Sequence, residues 1–156
     1  MIRAVSTVSL LVLVSACGQS SDTSAPAAPA STPTASVPVP ALSAADLGRV
    51  CRATIGALNG RDPGIIQVSS VEDGMAYVSY VRPDDGKVWK SRCKVDGEQV
   101  VWAAMDLSGP GSGPGRWRND PEDEHITYVI AGPTVTIKMR YSDGSGDEHA
   151  YQIDPS

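Results

Sequence analysis

Between residues 65 and 153 the chain is interrupted again and again by turn chemistry, and this punctuation limits what it can fold into. Glu72-Asp73-Gly74, Pro83-Asp84-Asp85-Gly86, Asp96-Gly97, Gly132-Pro133 and Asp143-Gly144-Ser145-Gly146 each supply residues that tolerate tight turns. Between them apolar and polar residues alternate with period 2, the repeat of a half-buried strand. Strands are expected at 65–71, 75–82, 87–95, 99–106, 126–131, 134–141 and 149–153. Parallel strands need crossovers of a dozen or more residues, so connections this short favour an antiparallel meander.

One segment has the other period. Leu47, Val50, Cys51, Thr54, Ile55 and Leu58 recur at helical spacing. Ser43 stands where an N-cap belongs, with Asp46 three residues on and Leu42 and Leu47 at staple positions. Asn59-Gly60 ends the pattern, with Pro63 beyond it. Arg49, Arg52 and Ala53 are expected on the opposite face.

Two strands have legible faces. Trp89, Ser91, Cys93 and Val95 alternate with Lys90, Arg92 and Lys94; Val135, Ile137, Met139 and Tyr141 alternate with Thr134, Thr136, Lys138 and Arg140. One face of the sheet is therefore expected packed and the other wet. The expected class is α+β: one N-terminal helix on a curved, roughly seven-stranded antiparallel sheet. A sandwich or partial barrel with one helix is the alternative.

The first 16 residues have a different character. Arg3 precedes a mostly apolar run to Val14, about a dozen residues, which is too short to span a membrane. The order of charge, apolar core and small residues is that of a secretory signal. The end of the run, Val14-Ser15-Ala16-Cys17, resembles the lipobox of bacterial lipoproteins. That resemblance implies diacylglycerol on the Cys17 sulfur, cleavage before Cys17 and anchoring by acyl chains, since two or three chains hold where one does not. Gly18 follows where an aspartate would imply retention at the inner membrane, so the resemblance implies an outer-membrane anchor facing the periplasm. The alternative is an ordinary signal cut after Ala16.

Loss of residues 1–16 removes only Arg3 and leaves 12 basic and 18 acidic residues, a net charge of −6. An acidic excess argues against nucleic acid as a partner. Residues 17–40 hold the lipidated cysteine and an Ala/Pro/Ser/Thr-rich tether with a single charge, Asp22. Such a composition cannot bury a core. Its 23 residues after Cys17 reach about 70 Å at most, as a spacer or simply as a linker. Residues 41–156 are expected to form one domain.

With Cys17 lipidated, two of the three cysteines remain. Cys51 lies on the apolar face of the helix and Cys93 on the apolar face of the third strand. In an oxidising compartment a Cys51–Cys93 disulfide would tie helix to sheet. Two buried free thiols are the alternative.

Candidates for chemistry are few. His125 and His149 each follow carboxylates, in Pro121-Glu122-Asp123-Glu124 and Asp147-Glu148, but match no ligand spacing. Both are expected at strand starts in solvated acidic loops. The run 143–147 alternates oxygen ligands with glycine, faintly like a calcium loop, yet lacks the closing glutamate. Ser112 and Ser145 sit between glycines without a complete nucleophile elbow. No catalytic residue, metal or cofactor is expected.

The stretch SGPGSGPGRWRND at 108–120 reads as a long loop ending in Arg116-Trp117-Arg118. Trp and Arg are favoured anchors at binding surfaces. In the functional reading these three residues contact a partner, either an envelope protein or a cell-wall component. In the other, Trp117 tucks into the core and the arginines pair with Asp120, Glu122 or Glu124. Lys87, Lys90, Arg92 and Lys94, with Arg82, crowd one hairpin and form either an anion-facing patch or a solvated face that blocks edge pairing.

The whole layout resembles small bacterial envelope lipoproteins. Membrane-bound lysozyme inhibitors share it, but none of their inhibitory motifs is recognisable here. The expected function is a non-catalytic binding or structural module of the envelope. An inhibitor of a cell-wall-degrading enzyme comes second and a hydrolase third.

Overall fold

The computed structural model describes residues 41–105 and 113–155. The leader at 1–16, Cys17, the tether at 17–40 and positions 106–112 of the glycine/proline loop, Ser112 among them, lie outside the described residues.

The helix forms where its caps and period place it. α1 runs Ala44–Asn59. The Ser43 hydroxyl oxygen accepts from the Asp46 backbone N–H at 3.0 Å and satisfies one free donor of the first turn. Gly60 closes the other end in the left-handed conformation, φ 59°, which a residue without a side chain adopts at no steric cost.

Seven strands follow: β1 Gln67–Glu72, β2 Met75–Val81, β3 Val88–Asp96, β4 Gln99–Ala104, β5 His125–Ala131, β6 Thr134–Arg140 and β7 Gly146–Gln152. They form a single open antiparallel sheet in sequential order. The class is α+β, and the seven described strands belong to one sheet rather than to the two of a sandwich.

The first strand starts later than the alternation predicts. Pro63–Ile65 instead forms a 3₁₀ turn, because proline opens it and the Asp62 carboxylate accepts from the Gly64 N–H at 2.7 Å. Ile66, not Ile65, is the buried side chain.

Register sets the faces. Cys93 stands opposite Trp102 and Val95 opposite Val100 on the α1 side, while Arg92 stands opposite Ala103 and Lys94 opposite Val101 on the outer side. Ala76, Val78 and Tyr80 of β2 and Val135, Ile137 and Met139 of β6 complete the inner face, all buried.

The helix face opposite the apolar stripe is packed too, with Arg49 and Ala53 buried and Arg52 half-buried. α1 touches β1, β2 and β3 on one side and β6 on another, so the curled sheet wraps it. Arg49 is only 3% exposed and Ala53 fully buried. The Arg49 guanidinium is satisfied by far-off backbone: Nε donates to the Ile153 carbonyl at 2.7 Å and one terminal nitrogen donates to the Gly132 carbonyl. Its other terminal nitrogen donates to Asp46 at 2.9 Å. Gly56 lets the chain after the helix pass close, since a Cβ there would stand 2.8 Å from the Arg61 carbonyl oxygen.

Cys51 and Cys93, both fully buried, lie at disulfide distance with Cα atoms 6.0 Å apart, joining α1 to β3. Among the described residues no helix is long and apolar enough to cross a membrane.

Candidate functional site

The sheet nearly parts between β4 and β5, which share only the pairs Gln99–Thr127 and Val100–Ile126. Along the rest of its edge β4 takes another partner. The Gly115 N–H donates to the Ala104 carbonyl at 2.7 Å and the Arg118 N–H to the Trp102 carbonyl at 2.8 Å. Residues 115–118 thus run along the free edge of β4, with an isolated antiparallel bridge between Arg118 and Trp102.

Strand geometry then sends alternate side chains to opposite faces. Arg116 and Arg118 turn to one side and Trp117 to the other. The Arg116 terminal nitrogens donate to both Asp123 carboxylate oxygens, at 2.6 and 2.7 Å, and Arg118 adds a third bond at 3.2 Å. The Asp120 N–H donates to the same carboxylate at 2.9 Å, and the Asp120 carboxylate lies 3.0 Å from Arg116. The Asp123 side chain is 4% exposed. The Arg116 guanidinium, then the Asp120 N–H and Arg118, hold its carboxyl well below the usual carboxylate range, against the opposing effect of burial.

Trp117 lies on the outer face of the sheet, half-buried. Its ring centroid is 4.3 Å from the Arg92 guanidinium carbon and 5.2 Å from the Lys94 ammonium nitrogen. Ala103 and Val101, the β4 partners of these two cations, are buried although they face outward. The outer face is therefore not uniformly wet. Trp117 is not in the core.

The arginines choose Asp123 and Asp120 rather than Glu122 or Glu124. Glu124 instead accepts from Trp102 Nε1 at 2.6 Å. Sequence reading passed over Asp123, which stood in an acidic run beside a histidine. The usable signal was period 2 itself: in Arg-Trp-Arg an extended backbone places both arginines together, near the next carboxylates.

The other candidates disperse. His125 opens β5 and stands opposite outward-facing Arg140, whereas His149 lies inside β7 opposite buried Ile137. The two histidines occupy opposite faces of the sheet and cannot share a ligand. His149 is not at a strand start; β7 begins three residues earlier, and its ring stacks on Tyr151 with centroids 6.1 Å apart. Asp143 accepts from the Ser145 N–H and hydroxyl, at 2.9 and 2.6 Å, and Asp147 accepts from the Tyr141 hydroxyl. The oxygens of the calcium-like run are thus taken by their own turn, and the Ser145 hydroxyl meets a carboxylate rather than a histidine. No group of three or more metal-ligating side chains occurs among the described residues.

The basic hairpin divides in two. Arg82 pairs with Asp85 and lies 5.0 Å from the Trp89 ring. Arg82 is also the leading cause that lowers the Asp85 carboxyl to about 2. Arg92 and Lys94 face Trp117 instead.

Asp123→Asn is expected to free the 115–118 segment. Amide exchange at Gly115 and Arg118 should speed at least tenfold while α1 amides stay protected; unchanged exchange at both would refute the idea that Asp123 holds this segment. The pH dependence has a definite sign. Because the folded-state carboxyl is held low, its stabilisation is complete above the unfolded value of about 4 and fades as the pH falls below it. The Trp117 indole N–H resonance should stay fixed from pH 7 to about 4 and move only in stronger acid.

Comparison with known protein families, with curated proteins and with solved structures finds no match to this chain.

Proposed function

We propose that this chain is an exported lipoprotein, lipidated at Cys17, whose domain works as a non-catalytic binding module of the bacterial envelope. The observation that carries the binding reading is Trp117: a large aromatic side chain kept on the outer sheet face, between two arginines bonded to one buried carboxylate. An anchor fixed before it meets a partner loses little freedom on binding.

Arg116 and Arg118 then position the anchor rather than make contact themselves. Val14-Ser15-Ala16-Cys17 supports the lipid anchor, and Gly18 after it supports the outer membrane facing the periplasm. Export into an oxidising compartment agrees with a Cys51–Cys93 bond.

Labelled palmitate fed to cells making the protein should enter the wild-type chain and not Cys17→Ala. Crosslinking in the same cells should capture a neighbour that Trp117→Ala loses and Trp89→Ala keeps. Trp89 is the control because it is an exposed tryptophan near the start of β3, outside the 115–118 segment. Unlabelled wild-type chain would end the lipoprotein reading. A capture profile indifferent to Trp117 would end the binding reading.

A further inference from the structure

The sequence holds 18 acidic and 13 basic residues, so a cation without a carboxylate partner is unexpected. Arg49, Arg61, Arg82, Lys87, Arg116, Arg118 and Lys138 all have one within ion-pair distance. Arg52, Arg92, Lys94 and Arg140 have none among the described residues; Arg52 donates instead to the Pro63 carbonyl, and Arg92 and Lys94 are both held against the ring of Trp117. They share the outer face of β3, about 7 Å apart along the strand. The Arg92 Nε is buried without a hydrogen-bond acceptor. Tyr77 stands opposite Arg92 on β2 and Met75 opposite Lys94, so the same face adds a half-buried phenol and a thioether.

We infer that this outer face of β2, β3 and β4, built on Arg92, Lys94, Trp117 and Tyr77, binds an anionic sugar polymer. The inference rests on the binding reading above and specifies its partner. Two positive charges in a row suit successive charges of a linear polymer better than a single ion. A guanidinium stacked on an aromatic face keeps its in-plane N–H groups directed outward, where they can meet a carboxylate or phosphate in bidentate fashion. The electron-rich face of an aromatic ring accepts the C–H face of a sugar. Nucleic acid needs a broad basic surface, which a chain of net charge −5 does not offer. Insertion into a bilayer is opposed by the bracing of Trp117 against the sheet. Complementary charge over a small patch suffices to orient a polymer.

The full chain in non-ionic detergent is titrated, at low salt, with polygalacturonate, uncharged dextran, poly-L-glutamate and glycerophosphoglycerol, the soluble headgroup of phosphatidylglycerol. Polygalacturonate should bind, with an affinity that falls as salt rises, and dextran should not. Arg92→Gln with Lys94→Gln should weaken binding at least tenfold while leaving the urea midpoint within error. Trp117→Phe, which keeps a ring, should retain more affinity than Trp117→Ala. Failure to bind polygalacturonate, indifference to the Arg92 and Lys94 changes, or tighter binding of poly-L-glutamate or the lipid headgroup would each overturn the inference. If Trp117→Ala still abolishes capture in cells while polygalacturonate fails to bind, the binding reading stands and the sugar assignment falls.

Discussion

Replacing Cys51 and Cys93 together by alanine should lower the urea midpoint of unfolding by about 2–3 M. The two residues are 42 positions apart in sequence and close a loop between α1 and the third strand of the sheet. In the chain-entropy account, closing a loop of that length restricts the unfolded chain by about 4 kcal/mol. A domain of this size is stable by only about 5–15 kcal/mol in total, so the loss is a large share. Both side chains are fully buried. A reductant should therefore act slowly on the native protein and quickly in denaturant. Because the two alanines are smaller than the cystine they replace, a small cavity term adds to the loss. A midpoint within 0.5 M of wild type would mean that the native pair is not bonded, and the export reading would lose one of its supports.

The second large effect is expected at Arg49. Arg49→Met keeps most of the side chain's length and apolar stem but removes every donor. The Ile153 carbonyl, in buried surroundings, and the partly buried Gly132 carbonyl then lose their bonds, and Asp46 loses its ion pair. A buried acceptor left unsatisfied costs about 1–3 kcal/mol, which puts the sum near 3 kcal/mol and the fall in Tm near 15 °C. The damage should also be local. Ile153 N–H donates to the Pro133 carbonyl at 2.8 Å, so the chain end and the β5–β6 turn are held at one place. Amide exchange at Ile153 should accelerate well before that of β2 or β3. Arg49→Lys, with one nitrogen for three acceptors, should fall between. A loss under 1 kcal/mol for Arg49→Met would show that the sheet closes on the helix without this clamp.

Sequence determined much of the frame because its signals are local. Turn residues and period 2 located all seven strands, with errors of a few residues at their ends. Ser43 and Gly60 bounded the helix, since a cap is a contact between close neighbours in the chain. Alternation placed Cys93 on the inner face and helical spacing placed Cys51 toward the sheet. What tertiary structure decided are contacts between distant residues. Arg49 reads only as a residue opposite the apolar stripe until a sheet curls far enough to bring carbonyls 83 and 104 positions away to its guanidinium. His149 reads as the start of a strand until pairing with β6 extends that strand back to Gly146.

The candidate surface shows the same division. Arg-Trp-Arg announced an anchor and its flanks, but not which side each residue would take. That depended on the gap between β4 and β5, where residues 115–118 bond to the free edge of β4 with Trp117 outward and the two arginines toward Asp123. Period and capping are set by steric and hydrogen-bonding rules acting within a few residues, so they can be read from the chain alone. Sheet curvature, the break in the ladder and the burial of a charged group arise from twist accumulated over seven strands, and from acceptors that exist as partners only once the chain has folded back upon itself.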